Sequence, residues 1–71
     1  MTKYLVVFNL YLHRSGEDSE DSFIVDNNEV PWPTDEVALA KLRLFIAEHY
    51  FHEKSDINNA RVTIKNLIKL D

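Results

Sequence analysis

Lys3-Tyr4-Leu5-Val6-Val7-Phe8-Asn9-Leu10-Tyr11-Leu12-His13 carries the strongest pattern in the chain. Tyr4, Val6, Phe8, Leu10 and Leu12 fall on one face of a period-two repeat, and Leu5, Val7, Asn9 and Tyr11 on the other. A strand this long, apolar on most of both faces, belongs in the middle of a sheet. Residues 14–21 then read as a polar turn in which Gly16 can take a positive backbone angle, and residues 22–26 as a short second strand paired with the first. Asp26-Asn27-Asn28-Glu29 makes another turn, and Pro31-Trp32-Pro33 breaks any regular element.

Thr34 is the expected N-cap of a helix, with Asp35 and Glu36 in its first turn to complement the helix dipole. The helix runs to about residue 52. Ala38, Leu39, Leu42, Phe45, Ile46, His49 and Tyr50 form the stripe that covers the sheet. Residues 55–59 are a polar connection to a last strand over residues 61–70. There Val62, Ile64, Ile68 and Leu70 should point in, and Arg61, Thr63, Lys65 and Lys69 out. A right-handed crossover over the first strand places the third beside it. The expected fold is α+β, a β-β-α-β chain. Its three-stranded antiparallel sheet has order 2-1-3 and is covered on one face by one helix.

With 71 residues the chain forms a single domain. Apolar residues make up 45%, too many for a disordered segment. There is no cysteine, which excludes disulfides, iron–sulfur clusters and thiolate zinc sites and suits an intracellular compartment. Ordering costs roughly 1.5 kcal/mol per residue, so a core this small invites reinforcement by self-association. No signal peptide or membrane-length span is expected. The single glycine, Gly16, removes every glycine-rich phosphate loop, and with it ATPase, dehydrogenase and kinase chemistry.

The net charge of −4 conceals a strong asymmetry. Residues 15–36 contain Glu17, Asp18, Glu20, Asp21, Asp26, Glu29, Asp35 and Glu36 with no Lys or Arg, while the rest of the chain holds four acids and eight bases. A solubilising, helix-capping use of such acids is the plain reading. The functional one is that carboxylates stand where a DNA-binding protein expects phosphates. On an extended segment, Asp18 and Glu20 lie about 6.7 Å apart, roughly twice the axial charge spacing of one DNA strand.

Other chemistry ranks lower. His49 and His52 between Glu48 and Glu53 lie on different sides of the helix, and His13 joins neither, so no metal is expected. The pairs Glu17/Asp18 and Glu20/Asp21 have nothing apolar nearby to raise a pKa, and Ser15, Ser19 and Ser22 have no histidine at an identifiable spacing. Asp18, Glu20 and Ser22 imitate only part of a calcium loop. Lys41-Leu42-Arg43-Leu44-Phe45 has a passing likeness to sliding-clamp-binding peptides, but those bind extended, Leu42 and Phe45 are wanted in the core, and the leading glutamine is missing. Arg61, Lys65 and Lys69 share one strand face beside the acidic pole, a poor footprint for DNA or RNA. The chain reads as a non-enzyme that takes no cofactor.

A second apolar line, Val37, Ala40, Leu44, Ala47 and Phe51, follows heptad spacing between Glu36, Lys41, Arg43 and Glu48. It is either a scatter of surface apolar residues or a seam for a second copy or another partner, and a homodimer through the helix is the expectation.

In size, topology and charge pattern the chain resembles the small acidic host-takeover proteins of lytic bacteriophages, some of which imitate DNA. The resemblance implies an inhibitor acting in the host bacterial cytoplasm, at the nucleoid. Its partner would be a host DNA-binding protein, foremost the histone-like nucleoid protein HU, otherwise RNA polymerase or the sliding clamp. It implies a binding surface centred on Glu17, Asp18, Glu20 and Asp21 and continued by Asp26, Glu29, Asp35 and Glu36. The net charge is modest beside that of many DNA mimics. An adaptor or assembly module working through the helix seam is the alternative.

Overall fold

A computed structural model describes residues 2–70. Strand β1 (Lys3–Leu12) and strand β2 (Glu17–Asp26) form a hairpin, helix α1 (Glu36–Tyr50) comes next, then a short helix α2 (Lys54–Asn58) and strand β3 (Ala60–Lys69). The sheet has the order β2-β1-β3, and β1 is antiparallel to both neighbours. This is the α+β architecture expected from the sequence, with the apolar strand at its centre. Among the described residues, no helix is long and apolar enough to cross a membrane.

The core lies between α1 and one sheet face. Tyr4, Val6, Phe8 and Leu10 of β1, Val25 of β2 and Val62 of β3 are buried with Leu42, Ile46 and Ala47 of α1. The opposite face of β1, with Leu5, Val7, Asn9 and Tyr11, is only half-buried. Burial of the central strand is therefore complete on one side alone. A lid over one end of the core comes from the 27–35 connection. Tyr4 donates its hydroxyl to the Val30 carbonyl at 2.8 Å, and its ring meets Trp32 edge-on at 5.3 Å. Asn27 fixes this lid by accepting from the Trp32 N–H at 2.7 Å.

The hairpin differs from expectation. The turn is confined to residues 13–16, and β2 begins at Glu17 instead of residue 22. Polar side chains from Glu17 to Ser22 disguise a strand there, but the long β1 offers backbone partners along its whole length, and ladder pairing overrides weak β propensity. Gly16, at φ 71°, closes the turn and donates its N–H to the Leu12 carbonyl at 2.8 Å.

The helix cap is Asp35, not Thr34: the Asp35 carboxylate accepts from the Ala38 N–H at 2.8 Å. The helix ends at Tyr50, short of 52, and the expected polar connection is largely the helical turn α2. On β3, a bulge between the partners of Val7 and Phe8 reverses the inside–outside order of the residues beyond it. Leu67 packs on the core opposite Val6, whereas Ile68 and Leu70 are exposed. Lys69, expected outside, pairs with Tyr4 and holds its ammonium 5.2 Å from the Trp32 ring centre.

Candidate functional site

The acidic cluster does not sit in the solvated turn that the sequence suggests. Four of its members, Glu17, Asp18, Glu20 and Asp21, lie instead on β2, an edge strand exposed from Glu17 through Ser22. Strand alternation sends them to both faces. Asp18 pairs with Tyr11 and Glu20 with Asn9, which places both on the face away from α1. Glu17 pairs with Leu12 and Asp21 with Phe8, on the face under α1. The extended segment on which the spacing of Asp18 and Glu20 depends is therefore present, at about 6.7 Å between side chains.

Asp21 sits under the C-terminal end of α1. Tyr50 donates its hydroxyl to the Asp21 carboxylate at 2.5 Å, and the Ser22 N–H adds a second bond at 2.8 Å. The Tyr50 hydroxyl, then the Ser22 N–H, hold the carboxyl below its ordinary range. Burial, then the bond to and charge of Asp21, push Tyr50 up to about 12. Glu20 reaches across β1 to Lys65 at 3.1 Å, an exposed pair. Neither partnership is legible from local sequence, because the pairs are 29 and 45 residues apart. Drawing the full hairpin register would have placed Asp21 under the helix.

Three of the other acids have local duties. Asp26 accepts from the Asn28 N–H at 2.8 Å, Asp35 caps α1, and Glu36 faces Arg43 at 3.9 Å. Among the described residues, no hydrogen bond or ion pair engages the carboxylates of Glu17, Asp18 or Glu29. The eight acids thus divide into five with a structural partner and three open to a ligand.

The helix seam does not survive as a continuous line. Val37 and Leu44 are exposed at 67% and 50%, and Ala40 is exposed too, but Ala47 is buried. Phe51 has left the helix to become its C-cap and packs against the core. Beside Leu44 runs a groove of about 680 Å³ between α1 and the outer edge of β3, lined by Leu39, Ala47, Ile57 and Ile64 among others. In the expected core stripe, His49 is exposed and stacks on Phe23 with ring centres 4.9 Å apart, and Tyr50 is also partly exposed. No group of three metal-ligating side chains occurs among the described residues. The bases do not share one face either, since the bulge turns Lys69 toward Trp32 while Lys65 meets Glu20. Within the clamp-like segment, Leu42 is buried and Phe45 packs on the core.

Comparison of the chain with protein-family models, with curated proteins and with solved structures finds no match.

Proposed function

We propose that this chain is a non-enzymatic inhibitory protein whose acidic β2 edge occupies the DNA-binding surface of a basic bacterial protein, with nucleoid protein HU the first partner to test. One observation carries the reading. The acids stand on an extended edge strand, where Asp18 shares one face with Glu20, which is paired with Lys65, and among the described residues Glu17 and Asp18 have no hydrogen-bond or ion-pair partner for their carboxylates. Charge on an edge strand also has a purely structural use, because it discourages pairing with other sheets. Competition with DNA separates the two uses.

The wild type should displace duplex DNA from HU in a gel-shift assay and bind no DNA itself. Glu17→Gln with Asp18→Asn removes two charges that support no internal contact, so stability in urea should hold. Exposed pairs are worth about 0.2–1 kcal/mol each, so displacement should weaken by roughly 2- to 30-fold and lose part of its salt dependence. Displacement at wild-type potency at every salt concentration refutes mimicry through this edge. No displacement by the wild type removes HU from the proposal.

The adaptor reading is favoured by a different observation, the groove between α1 and β3 flanked by exposed Leu44. A partner seated there would be insensitive to the Glu17 and Asp18 changes and lost in Leu44→Glu.

A further inference from the structure

We infer that the uncovered face of the sheet binds a second copy of the same face, with the two-fold axis running along β1. Among the described residues nothing covers this face: α1 and the Trp32 lid both lie on the other side. The strand register arranges its residues in rows. Ile24, Leu5 and Ile68 make one row across the three strands, and Asp18, Tyr11 and Arg61 make another. Ile24 and Ile68 are exposed at 58% and 41%, an unusual outlay of β-branched apolar surface for so small a chain.

The pattern of the rows selects the occupant and its orientation. A two-fold axis parallel to β1 lays each β2 residue over the β3 residue of the same row in the other copy. Ile24 then meets Ile68 twice, and Asp18 meets Arg61 twice, while Leu5, Val7, Asn9 and Tyr11 meet their own counterparts on the axis. An axis across the strands would set the isoleucine row against the charged row. Only the first arrangement matches apolar with apolar and acid with base. It also keeps the two sheets aligned, as sheets stacked about 10 Å apart prefer. The Glu20–Lys65 bridge spans β1 between these rows as an already neutral pair.

The size of the face argues for a weak contact. Three strands of ten residues project about 14 by 30 Å, or about 400 Å² per copy, below the roughly 800 Å² of a standard interface. The dimer is therefore weak and is populated only as concentration rises. Asp18 serves both this contact and the proposed basic partner, so the two associations exclude each other. The self-association itself needs no other protein and stands or falls independently of DNA displacement.

Sedimentation of the purified chain from low micromolar to submillimolar concentration tests it. The wild type should pass from monomer to dimer across that range. Asp18→Arg and Arg61→Glu should each weaken the dimer about tenfold or more, and the double swap should return it to within about threefold of wild type. Leu44→Glu, on the helix, should change nothing. Circular dichroism checks that each variant keeps its fold, as expected for exposed positions. A wild type monomeric throughout, a double swap no better than the singles, or a dimer lost in Leu44→Glu overturns the inference.

Discussion

Truncating Phe8 is the sharpest probe of a core built on one face of β1. Its side chain is fully buried, with the Phe23 ring centre 5.5 Å away and that of Tyr50 at 5.8 Å, both edge-on. Phe→Ala in such a site costs about 3–5 kcal/mol, the cavity included. A 71-residue domain holds only about 4–10 kcal/mol of stability in total. With a urea slope of about 1 kcal/mol per molar, Phe8→Ala should lower the unfolding midpoint by about 3–5 M, or leave the chain unfolded at the start. Val7, the next residue, points to the half-buried face, so Val7→Ala should cost only about 1 kcal/mol at concentrations where the chain is monomeric. Equilibrium urea melts followed by circular dichroism read both values. A Phe8→Ala midpoint within about 1 M of wild type, or equal losses for the two variants, would show that the core is not one-sided.

Asp35→Ala should destabilise the chain by about 0.5–2 kcal/mol through loss of the cap, and Thr34→Ala by much less; thermal melts of the two variants rank them. The Asp21–Tyr50 bond should appear in titrations. Tyr50, ordinarily near 10, should lose its proton at about 12 in an NMR titration of the ring, and Asp21→Asn should move that value down. Because the folded state depresses the Asp21 carboxyl, its contribution is present above the ordinary carboxylate range and fades as pH falls through the lowered value. The Tyr50 contribution has the opposite sense, being present below pH 10 and lost as pH rises toward 12.

How much the sequence reveals depends on whether a segment's own residues carry the signal. Strand β1 is legible because ten residues repeat one alternation, and its two-sided apolarity places it centrally. Half of β2 is not, since Glu17 through Ser22 contain no apolar residue and are strand only because β1 needs a partner. Thr34 and Asp35 are both good caps, and only the structure shows that Asp35 is the extended residue whose carboxylate meets the Ala38 N–H. The inward set of β3 fails beyond residue 65 because alternation assumes an unbroken ladder. The acidic cluster is visible as composition, but its division between two faces requires the register. Ala47 is small enough to satisfy either a seam or a tightly packed helix–sheet contact, and the latter takes it.

The bulge in β3 has a consequence for chain length. Phe8 pairs with Ile64 and Val7 with Asn66, so Lys65 is one residue more than a regular ladder requires. Deleting Lys65 would join two halves that already hold their native partners and would keep Leu67 inward, at the loss of the exposed bridge to Glu20. Removing a neighbour such as Thr63 or Leu67 would instead shift part of the strand against β1 and turn its side chains over. Within β3, tolerance to a one-residue deletion is thus concentrated at the bulge, Lys65 and Asn66, where the strand can shorten without being rethreaded.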